Sequence, residues 1–213
     1  MFLPLLFQSQ GMPCLVVGGG DVALRKIVIL RENGCTVIVI APEVVPQIAE
    51  LINKKMVKWL QRKFMPGDCR RFSLVIAATE HRDINETVYN EAKALNVPVN
   101  VVDDPELCTV IFPAIFRDGN LNISVSTSGS APFMAAELRD RVRRNASGWG
   151  RWIQLAGRFR EIVRAEVTDP YEQKRLYKLF ISLGPIPAEL TPPAKNNLEQ
   201  WMSWLESITE EKG

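Results

Sequence analysis

Residues 16–26 read VVGGGDVALRK. Two valines run into three glycines, and an acid, two small or apolar residues and a basic pair follow. A buried strand turning sharply into a helix has this composition. Gly18 to Ala23 fits G-x-G-x-x-A. Gly18 permits the tight turn, Gly20 lets the backbone approach a pyrophosphate, and Ala23 allows close packing of helix on strand. The helix N-terminus then faces the phosphates with free N–H groups and a favourable dipole. Three successive glycines are more than a plain turn needs.

Working outward, the first half alternates apolar runs with helical patterns. The strand-like runs are PCLVV (13–17), TVIVI (36–40), VKWLQ (57–61), SLVIAAT (73–79) and PVNVV (98–102). Most are nearly continuous apolar segments, as in strands covered on both faces of a parallel sheet. Between them, Asp21–Asn33, Glu43–Lys54 and His81–Leu95 carry apolar residues at helical spacing, and Gly34 is placed as a left-handed cap after the first helix. The fold expected is α/β, a Rossmann-like doubly wound parallel sheet. After residue 103 the pattern changes. TVIFPAIF (109–116) and LNISVST (121–127) flank Arg117-Asp118-Gly119-Asn120, and Asp-Gly between alternating apolar residues predicts a hairpin. SGSAP (128–132) opens a helix to about Asn145. From Trp149 the chain reads mostly helical, with Leu198, Trp201, Leu205 and Ile208 on one stripe and Trp204 beside it. LGPIPAELTPPAK (183–195) reads as an ordered proline-rich linker.

Composition bounds the function. The 213 residues are 46% hydrophobic and 23% charged, with net charge +2, so no global field calls for nucleic acid or a membrane surface. No apolar run approaches the roughly 20 residues of a membrane span. The opening MFLPLLFQSQ lacks a basic n-region and is broken by Pro4, so it reads as a docking segment rather than a signal peptide. Cys14, Cys35, Cys69 and Cys108 are widely spaced with no CxxC pair, which argues against structural zinc and disulfides and for a reducing cytoplasm. No protein-bound metal is expected.

The acid after the second strand tests the glycine loop. Ala41-Pro42-Glu43 stands there, and Glu43 follows Gly20 at close to the spacing of about 20 expected of a ribose-binding carboxylate. No arginine or lysine directly follows that strand to hold a 2′-phosphate, so NAD is favoured over NADP. Glu43 also reads as a first-turn helix acid stabilised by the macrodipole. Tyr89-x-x-x-Lys93 spells a dehydrogenase dyad, but it sits on an early sheet-covering helix and reads as a solvated face. The lone His81 reads as a capping or surface residue.

Ligands of open α/β sheets bind beyond the carboxyl ends of the strands. Thr79 stands after the fourth strand, and Asn100, Asp103 and Asp104 around the end of the fifth. Adjacent aspartates at a strand end point in different directions, so one faces the crevice while the other caps or meets solvent. In a partly buried cleft such a carboxylate has a raised pKa and serves as a general base. Asp-Asp-Pro is equally good turn chemistry.

Taken in order, VVGGGDVALRK, VIAPE, VIAAT…IN, NVVDDPE, FPA and VSTSGSAP resemble the siroheme-synthase dehydrogenase and ferrochelatase family, the precorrin-2 dehydrogenases, over roughly residues 2–145. The resemblance implies oxidation of precorrin-2 to sirohydrochlorin with NAD, with ferrous-iron insertion as a second activity in some members. It implies a homodimer. On this reading residues 1–112 form the NAD-binding domain, 113–147 a dimerisation region and 148–213 a helical C-terminal domain. The family's functional aspartate is the first after N-V-V, here Asp103. Its cofactor contacts fall on the glycine loop and the following pair, here Gly18, Gly20, Asp21 and Val22, and on the turn after the second strand, here Pro42 and Glu43, with Thr79 beyond the fourth strand. Substrate contacts are expected at Asn100 and at Thr127 and Ser128, where fused members carry V-S-S-G. Fused members also carry a methyltransferase domain, so methylation is expected of another protein.

A polycarboxylate substrate needs cations. Arg139, Arg141, Arg143, Arg144, Arg151, Arg158, Arg160 and Arg164 stand against only Asp140 and Glu161 in their segment, and guanidinium groups suit bidentate carboxylate binding, Arg139 first among them. They read equally as a solvated face with salt bridges. Two other functions fit the loop alone: a non-enzymatic NAD-sensing module, and another small-molecule NAD-dependent dehydrogenase.

Overall fold

The structure is a computed structural model that describes residues 2–146, 148–194 and 197–212, the side chains of 210–212 excepted. It divides into two compact units, Met1–Phe112 and Pro113–Gly213.

In the first unit five strands form one parallel sheet: β1 (Pro13–Val17), β2 (Thr36–Ile40), β3 (Lys58–Leu60), β4 (Leu74–Ala77) and β5 (Val99–Val101). The strand order is β3-β2-β1-β4-β5. The order reverses between β1 and β4, and this switch point is where such sheets open a crevice beyond their carboxyl ends. Helices α1 (Asp21–Glu32), α2 (Pro46–Asn53) and α3 (Arg82–Ala94) cover the two faces. Alternation along β1 sorts the core. Cys14 and Val16 pack with Ala23, Ile27, Leu30 and Ile48 of α1 and α2. Leu15 and Val17 face the other way, toward Val88 and Ala92 of α3. With both faces dry, every one of these positions has to be apolar, which explains the continuous runs in the sequence.

Gly34 takes φ +75 and donates to the Arg31 carbonyl at 2.9 Å, while Cys35 donates to Leu30 at 3.0 Å. This is the paired bond pattern of a Schellman stop. The second helix begins later than the expected Glu43. Pro46 occupies its first position and disfavours the helical conformation for Val45, which is extended at φ −64, ψ 154. Glu43 is therefore a loop residue, and the first-turn macrodipole role falls away. The link from β3 to β4 is held by Asp68 and Glu91. Asp68 takes a two-pronged bond from Arg62 at 2.7 and 2.7 Å, and Glu91 accepts from the Gly67 and Cys69 amides at 2.9 and 2.8 Å. Burial pushes the Cys14 and Cys69 thiols up to about 12, so both behave as small apolar residues.

The expected docking of the N-terminal stretch is met only at its end. Gly11 donates to the Gly34 carbonyl at 2.8 Å and Ser9 Oγ to Asn33 at 2.7 Å. Leu3, Leu5, Leu6 and Phe7 are exposed.

The second unit opens with an antiparallel hairpin, β6 (Ala114–Asp118) and β7 (Leu121–Val125), followed by α4 (Pro132–Asn145), α5 (Trp149–Glu166), α6 (Pro170–Ser182) and α7 (Leu198–Lys212). The hairpin turns one residue later than Asp-Gly suggests. Asp118 pairs with Leu121, leaving Gly119-Asn120 as the loop, with positive φ at Gly119. Glycine at the first loop position is the favoured two-residue solution. Asp118 instead accepts the Gly150 amide at 2.8 Å. The strand expected from 109 begins only at Ala114, because Thr109 and Val110 bond back to Val99 of β5 at 2.9 and 3.2 Å.

An aromatic row fills the helical core. Phe180 stacks on Phe159 at 5.3 Å, Phe159 meets Trp201 at 5.7 Å, and Trp204 stands edge-on to Trp201 at 5.5 Å. Trp201, Leu205 and Ile208 are buried and Leu198 packs at the margin, as the sequence stripe predicts. The proline-rich stretch is held by arginine. Arg151 donates to the carbonyls of Ile186 (3.1 Å), Pro187 and Leu190 (2.6 Å), and Arg158 to Pro193 at 3.2 Å. Lys195, the last residue of that stretch, lies outside the described residues. Among the described residues no helix is long and apolar enough to cross a membrane.

Candidate functional site

The glycine loop leaves β1 at the switch point, and neighbouring backbone fixes each of its first two glycines. Gly18 has φ +123, a region that L side chains rarely adopt, and a Cβ there would run into the Ala78 carbonyl beyond β4. Its amide donates to Ile40 at 3.0 Å. A Cβ on Gly19 would collide with the Glu43 carbonyl, and the Gly19 carbonyl accepts from Val45 at 2.8 Å. Packing therefore requires two of the three glycines, more than the sequence suggests. Gly20 is different: it has φ −87, and a Cβ there would meet nothing within 4 Å. The chain itself does not need glycine at that position. The space beside Gly20 lies at the N-terminus of α1, where no side chain caps the first-turn amides. Uncapped amides beside an open glycine fit a phosphate group.

The close approach of Gly19 to Glu43 places the turn after β2 against the glycine loop. Trp59 Nε1 steadies the same turn by donating to Ala41 at 2.9 Å. Pro42 and Glu43 are exposed there, as is Asp21 at the start of α1, and Val22 is half-buried. Gly18, Gly20, Asp21, Val22, Pro42 and Glu43 thus gather at one edge of the sheet.

Thr79 stands at the same edge, after β4, and its hydroxyl is engaged locally. It lies 2.8 Å from Asn85 Oδ1 and 3.0 Å from the His81 carbonyl, and it accepts the His81 amide at 3.2 Å. Asn85 is nearly buried and closes the clasp from α3 by donating to the Thr79 carbonyl at 2.9 Å. Asn85 thus fixes the turn after β4, and in the sequence it stands out only as the last residue of VIAAT…IN. His81 occupies the N-cap position of α3 and is exposed, with no side-chain hydrogen bond capping the helix. Lys93 and Tyr89 meet each other on the outer face at 3.1 Å.

Asn100 is also nearly buried. Its amide donates to the Val110 carbonyl at 3.0 Å and approaches Cys108 Sγ at 3.5 Å, tying the segment after β5 back onto the strand. The two aspartates diverge. Asp104 is half-buried and lies 3.5 Å from Arg82. Asp103 is exposed and left-handed at φ +61. A non-glycine residue in that region carries strain, and aspartate tolerates it better than most. Asp103 itself is exposed within this unit, not partly buried as the sequence reading expects.

Thr127, Ser128 and Arg139 belong to the second unit. The Thr127 hydroxyl accepts the Ala131 amide at 3.1 Å just before α4, and Ser128 is exposed at φ +53. Arg139 grips Asp140 through two bonds of 3.0 Å. That bond, before any other cause, holds the Asp140 carboxyl below its ordinary range. Arg141 and Arg144 reach Glu137 at 2.8 and 3.4 Å, and Arg143 reaches Asp140 at 3.2 Å. With Arg151 and Arg158 on carbonyls, most of the arginine excess serves the unit's own structure.

Sheet order, glycine loop and uncapped helix define a Rossmann-type dinucleotide-binding protein. A family model described as putative NAD(P)-binding matches residues 5–114, and one described as sirohaem biosynthesis protein central matches 118–145. The chain belongs to this NAD(P)-binding family, in the form found in siroheme synthases. It is 39% identical to a siroheme synthase of Methylobacillus flagellatus over 82% of this chain and 38% of that protein. It is likewise 39% identical to one of Stutzerimonas stutzeri over 87% of this chain and 40% of that protein. The chain thus spans about two fifths of the length of these curated relatives. Among solved structures it resembles SirC, a precorrin-2 dehydrogenase, with TM-score 0.73 and 20% identity over 98% of this chain and all of that one, which is a likeness of fold.

Proposed function

We propose that the protein is an NAD-dependent dehydrogenase that oxidises precorrin-2 to sirohydrochlorin on the route to siroheme. The observation that supports this most is the gathering of the open Gly20 cradle, the Glu43 turn and the strained Asp103 at the carboxyl ends of β1, β2 and β5. The likeness to siroheme synthases supplies the substrate. When bound, the dinucleotide supplies the hydride acceptor.

The first-turn amides of α1 hold its pyrophosphate, with Gly18 and Gly20 leaving the backbone open to it. Asp21 and Val22 begin the helix beside it. Pro42 and Glu43 take the ribose, and the absence of a cation after β2 favours NAD over NADP. Thr79, clasped by Asn85, keeps the floor of the crevice in shape. The oxidation removes one hydride and one proton from the substrate, and the Asp103 carboxylate takes or relays the proton. Asn100 fixes the segment that carries Asp103, while Thr127, Ser128 and Arg139 offer hydroxyl and guanidinium donors to the substrate. Ferrous iron inserted into the product is a second substrate, with Asp103 assisting loss of the pyrrole protons.

Residues 1–112 are the dinucleotide domain, 113–147 the dimerisation region and 148–213 the helical domain. Exposed Phe133, Met134 and Leu138 on α4 suit a second copy of the chain. The test is anaerobic incubation with precorrin-2 and NAD. The expected result is the sirohydrochlorin spectrum rising with NADH in equal amounts, and no change in either sinks the reading. Ferrous ion added afterwards tests insertion separately, and sedimentation tests the dimer.

A further inference from the structure

Lys26 sits on α1, a turn and a half beyond the glycine loop. It is half-buried, with its ammonium 4.3 Å from the centroid of the Phe112 ring. Among the described residues no carboxylate lies within the 4.0 Å of an ion pair with it. The charged and titratable groups around it are Arg25 from its own helix, and Asp103 and Cys108 from the segment after β5. Burial pulls the lysine below its ordinary range, and Asp103 and Cys108 oppose that pull. Cys108 gives little negative charge, because burial raises its thiol. Asp104, the other acid nearby, is engaged by Arg82. A half-desolvated cation without an ion-pair partner leaves charge-assisted bonding capacity open, and a bound anion satisfies it.

A carboxylate and a phosphate would both suit such a site. The amides that serve a phosphate lie in the first turn of α1, and Lys26 is about 7 Å further along the helix axis. Its acidic neighbour is Asp103, at the expected place of reaction. We propose that Lys26 anchors a carboxylate of the molecule being oxidised: its ammonium, held over Phe112 and beside Asp103, receives an acidic side arm and so presents the reacting ring to that carboxylate. The inference rests on the tetrapyrrole reading above, whose substrate carries many carboxylates.

The test uses the full chain and begins with the wild type. Lys26→Met and Lys26→Gln should raise KM for precorrin-2 roughly 10- to 100-fold, the worth of one charge-assisted bond. Their kcat should stay within about threefold and their NADH affinity within about twofold. Lys26→Arg, which keeps the charge, should recover most of the loss. Thermal melts confirm that each variant is folded, and the arginine variant keeps the test open if the others are not. Unchanged KM in both neutral variants overturns the proposal. So does weakened NADH binding with KM intact, which would assign the ammonium to a dinucleotide phosphate. If the wild type itself does not turn over, the proposed function falls. The anchor is then judged by direct titration with sirohydrochlorin, and equal affinity in wild type and Lys26→Gln overturns it.

Discussion

Substituting alanine at Gly19 and at Gly20 separates what the glycine loop does for the fold from what it does for a ligand. At Gly19 the new methyl meets the Glu43 carbonyl, which is backbone on a turn tied to β3 through Trp59. Overpacking of this kind costs about 1–3 kcal/mol, and at about 2–4 °C per kcal/mol for a chain of this size Tm should fall by roughly 2–12 °C. At Gly20 the methyl meets nothing in the protein, and φ −87 is open to alanine. The weaker N-cap costs about 0.5–1 kcal/mol, and the reduced freedom of the unfolded chain offsets about 0.4–1 kcal/mol, so Tm should stay within about 3 °C. The same methyl stands where a pyrophosphate would approach. A clash worth about 1–3 kcal/mol there weakens NADH binding roughly 5- to 150-fold. The assay is NADH fluorescence titration beside thermal melts with and without saturating NADH. The reasoning is refuted if Gly20→Ala binds NADH like the wild type, or if it loses as much stability as Gly19→Ala.

Other outcomes follow from the same geometry. Asp103→Asn keeps a side chain that tolerates positive φ and removes the charge, so turnover should fall at least 100-fold with Tm and NADH affinity nearly unchanged; Asp103→Ala should lose turnover and some stability as well. Trp201→Ala empties the centre of the aromatic row and should cost about 3–5 kcal/mol in urea denaturation. The bond from Arg62 holds the Asp68 carboxyl below its ordinary range, so its stabilisation is present above the unfolded aspartate value and lost as pH falls through the lower folded one. Arg62→Gln should therefore lower stability at neutral pH, read by urea denaturation, and move the acid-unfolding midpoint to higher pH, read by circular dichroism, with the difference from wild type shrinking as the carboxyl is protonated.

The parts of the fold that could be read from sequence are those where one residue type has one physical use. Continuous apolar strands mean a sheet covered on both faces, and Gly34 marks a left-handed stop. The start of α2 was hidden because Pro46 governs the residue before it, and Val45 gives its amide to Gly19. The hairpin turn shifted by one residue because Asp118 serves Gly150, a contact remote in sequence. At the site, spacing located the loop, the β2 turn and the aspartate pair. It could not show that Gly18 and Gly19 answer to Ala78 and Glu43, since those contacts exist only once β1, β2 and β4 are side by side. The arginine excess left two readings open for a related reason: composition counts charges, and only the fold shows which carbonyls and carboxylates they hold.

The grip of Arg151 on the proline-rich stretch bears on how the C-terminal helices come apart. A segment of this composition between two helices is ordinarily where a protease nicks a folded domain, because its backbone is extended and easily presented. Here one guanidinium holds three carbonyls, those of Ile186, Pro187 and Leu190, and Ile186 between the prolines is buried. Where the arginine holds it, that backbone has to come loose before it can extend into a protease, so cleavage near Ile186 reports a local opening event. The stretch is thereby a latch that ties the approach to α7 down onto α5.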